Sequence, residues 1–153
     1  MARSSEREPP RPQRSDTVIR SSTVEHNDGF MKRRWPEYDR PLGIQWREQH
    51  GHLRAESDSG TTVGVANYVI VGGLGELRQI LVGEPWARQG IGSSLLTAFE
   101  AICRDRGCHK LRLETGDYQA RGFYERHGWQ VAATLRRDRF ERTWFIMEKV
   151  IAS

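Results

Sequence analysis

The spacing of apolar and polar residues divides the chain into short elements of changing period. Gly51 to Ser57 and Thr62 to Val71 read as strands separated by the turn sequence Asp58-Ser59-Gly60. Gly72-Gly73-Leu74-Gly75 marks a second turn into a strand ending at Val82, so the pattern predicts an antiparallel meander of three strands. Ile91, Leu95, Leu96, Phe99, Ile102 and Cys103 then recur at helical spacing. Arg104 and Arg106 suit the negative end of that helix, and Gly107 can take the left-handed cap position. Lys110 to Thr115 alternates as a strand, and Asp117 can N-cap a short helix that Gly128 ends. Gln130 to Leu135 and Thr143 to Ile151 form a closing hairpin. Upstream, Thr17 to Val24 is read as a first strand. The aromatic stretch from Asp28 to Gln49, interrupted by Pro36 and Pro41, is read as one or two short helices with a kinked connection. The sum is a mixed sheet with helices on both faces and no internal repeat.

Composition sets the class. With 153 residues, one domain over 16–153 is the expectation, preceded by a disordered tail over 1–15 whose three prolines and few apolar groups cannot offset the entropy of ordering. No apolar run approaches the roughly 18 residues of a membrane span, and the N-terminus lacks a signal-peptide core, so a cytoplasmic protein without a membrane partner is expected. The net charge of +4 comes from scattered residues that are nearly all arginine, the lysines being Lys32, Lys110 and Lys149. Without a basic stripe interleaved with aromatics, this argues against a nucleic-acid partner. Cys103 and Cys108 fit neither a metal knuckle nor a redox pair and read as reduced thiols. The five histidines form no metal constellation, since only His50 and His52 have ligand-like spacing; they are expected to be solvated loop residues, with no metal bound.

The chemistry concentrates between Leu77 and Gly92. An apolar strand, Leu77-Arg78-Gln79-Ile80-Leu81-Val82, leads through a loop into Gln89-Gly90-Ile91-Gly92 and the start of a helix. Helix N-termini leave backbone N–H groups unpaired at a positive dipole end, and glycine lets a ligand approach the main chain, so this loop reads as a pyrophosphate cradle. A Walker A loop is excluded because Gly92-Ser93-Ser94 lacks the lysine. A dinucleotide fingerprint fits less well, since Gly83 to Gln89 separate strand from glycines and a meander stands where parallel βαβ units belong. Glycines serving only the turn are the plain alternative. A second feature follows: Asp117-Tyr118-Gln119-Ala120-Arg121-Gly122-Phe123-Tyr124, then Gly128-Trp129.

The series from Leu74 to Ile151 resembles the GCN5-related N-acetyltransferase (GNAT) family. That family's cofactor signature is Arg or Gln, two residues, Gly, one residue, then Gly or Ala; the matching stretch is Ala87-Arg88-Gln89-Gly90-Ile91-Gly92, with Ala87 departing at the first position and Arg88 able to supply the charge. The second signature runs Asn, two residues, Ala, two residues, an apolar residue, then Tyr; Ala120, Phe123 and Tyr124 match and Asp117 replaces the Asn. The resemblance implies an α+β acyl-CoA N-acyltransferase fold, a mostly antiparallel sheet splayed at a parallel strand pair with helices on both faces. It implies acetyl-CoA as co-substrate, with main-chain groups of Ile80, Leu81 and Val82 bonding the pantetheine. Backbone at Arg88, Gln89, Gly90, Ile91, Gly92 and Ser93 would take the pyrophosphate, and Asp117 would stand near the cofactor. Direct attack by a primary amine of a small molecule or peptide is implied, in a ternary complex without a covalent enzyme intermediate. Tyr124 is the candidate acid for the departing thiolate. Glu76 is the candidate base, with Glu114 and Asp117 as competitors, and Glu114 is expected to pair with Arg78 or Arg112. Two other classes stay open: a non-catalytic acetyl-CoA sensor of the same fold, and a basic nucleic-acid-associated protein. Acceptor specificity is expected from residues 28–49, where Trp35, Tyr38 and Trp46 could shape a pocket, and a homodimer from pairing through the sheet or C-terminal strands.

Overall fold

The computed structural model describes residues 17–152, so the tail expected over 1–15 lies outside the described residues. The chain divides into two units between Gly43 and Ile44. In the first, residues 17–23 carry no regular structure and helix α1 runs from Val24 to Asp39. The strand expected over Thr17–Val24 does not form, because Thr23 is a helix cap whose Oγ1 accepts from the His26 N–H at 3.2 Å. Where one or two short helices are expected, one 16-residue helix containing Pro36 forms, followed by a 3-10 turn over Arg40–Leu42 that Gly43 ends at φ 67°. No α1 residue is buried; Trp35 meets Tyr38 edge-on at 6.3 Å, and Arg34 pairs with Glu37.

The second unit is built on six strands, β1 (Gln49–Glu56), β2 (Thr62–Val71), β3 (Leu74–Val82), β4 (Lys110–Gly116), β5 (Gln130–Leu135) and β6 (Trp144–Val150), arranged β1-β2-β3-β4-β6-β5. The meander and the closing hairpin are antiparallel, and β3–β4 is the parallel pair. Helix α2 (Ile91–Asp105) joins β3 to β4, and α3 (Arg121–Arg126) joins β4 to β5. Gly107 at φ 73° ends α2 as expected, with the Cys108 N–H returning to the Cys103 carbonyl at 2.9 Å.

Phe99, Leu96 and Cys103 of α2 pack with Leu77, Leu111, Leu113 and Met147 of the strands and with Tyr124 and Trp129 in one core. Inside it, Glu100 is 6% exposed and accepts from Trp129 Nε1 at 3.1 Å and Lys149 Nζ at 2.8 Å, so the buried carboxylate is paired and hydrogen-bonded. Among the described residues no helix is long and apolar enough to cross a membrane.

Two irregularities in β3 shape everything downstream. Asn67 pairs with Gln79 and Tyr68 with Leu77, which leaves Arg78 as the extra residue of a β-bulge. Pairing with β4 then stops: the parallel register runs from Leu74↔Lys110 to Leu77↔Leu113 and no further. Beyond that point β3 stays with β2 to Val82, while β4 stays with β6 to Gly116.

Close approach of α2 to β3 depends on Gly75, where an added Cβ would lie 2.5 Å from Cys103 Sγ and 2.9 Å from Leu111 Cδ2. Gly75→Ala is expected to destabilise by about 1–3 kcal/mol through overpacking. Adding Cys103→Ala should recover part of the loss, as measured by chemical denaturation of the two variants.

Candidate functional site

A cleft of about 640 Å³ opens where β3 and β4 part. One wall is β3 from Leu77 to Val82 with Val65 and Asn67 of β2 behind it; the other is Leu113, Glu114 and Thr115 of β4. Gly92 of α2 and Gln119, Ala120, Phe123 and Tyr124 at α3 complete the lining. The pattern of the fold dictates a polar main-chain wall here. Past Leu77 the edge of β3 that faced β4 has no strand partner, so main-chain groups within Arg78–Val82 are available to a ligand. Ile80 and Val82 are half-buried against the core, and Leu81, on the other face of the strand, is exposed.

The loop from Gly83 to Gly90 begins with a 3-10 turn over Glu84–Trp86 and then twists twice into the left-handed region, at Arg88 (φ 61°) and at Gly90 (φ 80°), which precedes α2 without a side-chain cap. Among the described residues, the backbone N–H groups of Arg88, Gln89, Gly90, Ile91, Gly92 and Ser93 donate to no protein acceptor, the first helical bond being Ser94 N–H to the Gly90 carbonyl at 3.0 Å. These six consecutive donors lie at the positive end of a 15-residue helix, the kind of backbone arrangement to which an anion can bond. Gln89 reaches back to the Pro85 carbonyl at 3.4 Å and so braces the loop. Arg88 has no acidic partner among the described residues, which leaves its guanidinium free for an incoming anion. An added Cβ on Gly92 would stand 3.6 Å from Phe123 and 3.8 Å from Val82, so a longer side chain there would grow within the cleft.

Tyr124 borders the cleft with 7% of its surface exposed, its ring held edge-on by Phe123 at 5.1 Å and Trp129 at 6.0 Å. Its hydroxyl has no protein hydrogen-bond partner, yet no buried side-chain oxygen among the described residues is left unpaired. The oxygen therefore reaches solvent rather than a capping carbonyl. Burial pushes this phenol up to about 12.

The three predicted carboxylates are placed differently. Glu76 is outside the cleft lining, with its carboxylate bridged by Arg112 at 2.9 Å and Arg78 at 3.3 Å. Glu114 does line the cleft, and its partner is Arg139 of the β5–β6 connection rather than Arg78 or Arg112. Asp117 neither caps α3 nor lines the cleft. Ala120 is the N-cap, without a side-chain bond, while Asp117 takes Arg142 Nε at 2.6 Å and the Thr143 N–H at 3.3 Å. The Arg142 guanidinium holds the Asp117 carboxyl below the usual carboxylate range. The turn between β4 and α3 is instead shaped by Gln119, whose Oε1 accepts the Gly116 N–H at 2.7 Å.

Of the histidines, His52 bonds Asn67 at 2.9 Å and His50 bonds Glu48 at 3.1 Å. His127 is not a solvated loop residue. It is half-buried, with Nδ1 2.7 Å from the Phe123 carbonyl and Nε2 3.0 Å from Ser93 Oγ. Gln119, Phe123 and the bulged Arg78 also join the cleft without having been singled out for it. Phe123, which the second signature matches beside Tyr124, packs against the core and lines the cleft as well.

Residues 20–129 match the family model described as the Acetyltransferase (GNAT) family. A Bacillus subtilis protein whose acetyltransferase assignment is itself provisional is 35% identical over 71 residues, 46% of this chain and 48% of that one. The blasticidin-S acetyltransferase of Streptomyces morookaense is 45% identical over 47 residues, 30% of this chain and 35% of that one. The chain thus spans about half and about a third of the length of these two relatives. The crystal structure of a Bacillus cereus acetyltransferase superposes with a TM-score of 0.78 at 20% identity, covering 88% of this chain and 98% of the other, a likeness of fold.

A phenol held near 12 remains protonated through the whole neutral range. Subtracting the phenolate absorbance of a Tyr124→Phe variant from that of the wild type is expected to give a Tyr124 titration midpoint near 12 rather than the ordinary 10.

Proposed function

We propose, from the premise that the chain belongs to the GNAT acetyltransferase family, that it is an N-acetyltransferase using acetyl-CoA and a primary amine, with the amine attacking directly in a ternary complex. The observation that carries this reading is a pair of unpaired main-chain stretches that follow one another along the chain, the free edge within Arg78–Val82 and the six N–H groups of Arg88–Ser93. An extended pantetheine amide chain suits the first part and a diphosphate the second. When bound, the thioester supplies the acyl group and a thiolate leaving group.

The protein's part is to bind, orient and manage protons. Unpaired N–H groups on the β3 edge are placed to polarise the thioester carbonyl. Tyr124 offers its O–H to the departing sulfur. With the phenol at about 12 and a thiol near 8.5, complete transfer is uphill by roughly 5 kcal/mol, so Tyr124 acts as a hydrogen-bond donor to developing negative charge. A family-typical asparagine contact is not expected from Asp117, which is committed to Arg142 and Thr143.

Deprotonating an alkyl ammonium at pH 7 costs about 4.6 kcal/mol. The proposal routes this through solvent in the cleft, with Glu114 as the carboxylate that borders it. Glu76, held between two guanidiniums, is assigned to tying β3 to β4 ahead of the splay. The acceptor is a small-molecule or peptide amine, and blasticidin S belongs in the first panel on account of the Streptomyces relative.

Titration calorimetry with acetyl-CoA, followed by thiol release across an amine panel, tests the reading. Binding with turnover is expected; binding without thiol release for any amine would favour a sensor, and no binding would leave the cradle a structural turn. Tyr124→Phe should lower kcat by about 10- to 100-fold at nearly unchanged acetyl-CoA affinity. Glu76→Gln should leave kcat close to wild type while lowering stability, and a loss of kcat like that of Tyr124→Phe would return Glu76 to the mechanism. Gly92→Leu, measured by the same titration, should abolish binding without unfolding the protein.

A further inference from the structure

Among the described residues, His127 is a half-buried histidine bonded through both ring nitrogens, and those bonds fix the position of its proton. The Phe123 carbonyl can only accept, so at 2.7 Å it takes the hydrogen of Nδ1. In the neutral ring Nε2 then carries a lone pair and accepts the hydroxyl hydrogen of Ser93 across 3.0 Å. The backbone of His127 is fastened as well, its carbonyl accepting from Lys149 Nζ at 2.8 Å. Ser93 is the last of the six residues whose N–H groups are unpaired. Its hydroxyl, however, turns its hydrogen away from any anion for as long as Nε2 takes it.

We propose that His127 is a positioning residue of the diphosphate cradle and takes up a proton when the anion binds, reversing its bond to Ser93. This rests on the acetyl-CoA reading above. In the free protein the order is Ser93 Oγ–H to Nε2. In the bound state Nε2–H donates to Ser93 Oγ, and the Ser93 hydrogen turns to a phosphate oxygen. One proton enters from solvent at Nε2, Nδ1–H stays on the Phe123 carbonyl, and no covalent bond of the ligand changes. The anion gains one hydroxyl donor and one nearby positive charge.

The charged groups facing the ring permit this. From β6 comes Lys149, whose ammonium rests on the His127 carbonyl and is matched by Glu100 of α2 at 2.8 Å. From the first turn of α2 the uncharged Ser93 hydroxyl meets the ring at Nε2. On α3 itself the neighbour is Phe123, whose ring lies 4.5 Å from the imidazole, while Glu125 is paired with Arg121 and Arg126 carries the other charge of that turn.

Calorimetry of CoA binding in two buffers of different ionisation enthalpy at one pH reads the proton directly. Wild type should show net proton uptake beyond that of CoA alone, and His127→Asn, which can keep a donor to the Phe123 carbonyl, should lose that excess and bind CoA about tenfold more weakly. Ser93→Ala, at a half-buried position in the first turn of α2, should lose the excess too, and the double variant should be no weaker than either single one. S-acetylpantetheine, which lacks the diphosphate, should bind all four proteins alike. Unchanged proton uptake in both single variants would overturn the proposal, as would equal weakening toward S-acetylpantetheine, which marks a general loss of structure. Failure of wild type to bind CoA at all would instead overturn the cofactor reading.

Discussion

Parallel strands β3 and β4 keep register for four residue pairs and then separate, because Arg78 is bulged out of the ladder with β2 and each strand follows its antiparallel neighbour. A sheet with both edges of every strand satisfied has no main-chain groups to offer a ligand. By parting in mid-sheet, this one keeps a stretch of backbone donors and acceptors beside the core, where their positions are fixed by β2 on one side. The rest of the site assembles around that gap: the entry loop and first turn of α2 bring six unpaired N–H groups, and Phe123 and Tyr124 of α3 complete the lining.

Keeping the gap open requires that the elements around it be fastened elsewhere. Before the split, the bridge from Glu76 of β3 to Arg112 of β4 ties the two strands on one face, while Gly75 lets Cys103 of α2 press against the other. Behind the cleft, buried Glu100 holds Trp129 and Lys149, Lys149 holds the His127 carbonyl, and the His127 ring holds Ser93. This chain connects the middle of α2, strand β6, the end of α3 and the first turn of α2. The same burial that anchors Tyr124 also raises its proton affinity, which makes the phenol a donor of hydrogen bonds more than of protons.

Much of this was legible in the sequence because it is local. Strand periods, the Asp58-Ser59-Gly60 turn, the Gly107 cap and the Gly90-Ile91-Gly92 helix entry depend on neighbours a few residues away, and the structure follows them. The bulge had a trace: Leu77 and Ile80 both face the core, three apart, an odd interval that breaks a period of two. What stayed hidden depends on distant partners. Thr17–Val24 looked extended until Thr23 is seen capping α1, and Asp117 looked like a cap until Arg142 and Thr143, on another strand's approach, claim it. Nothing near His127 in sequence points to Ser93, 34 residues earlier. Glu76 shows the converse. Its place in the family-like pattern suggested a base, while its cross-strand partner Arg112 belongs to β4 and could not be read from β3 alone.

If one ligand spans the site, the free edge of β3 and the α2 entry loop bind it together. Amide hydrogen exchange with and without acetyl-CoA tests it most directly, since unpaired N–H groups exchange quickly until something bonds them. Slowed exchange is expected within Arg78–Val82 and across Arg88–Ser93 together, with β1 and β5 unchanged. Protection of neither segment at saturating acetyl-CoA, or protection confined to the loop while β3 exchanges as before, would contradict it.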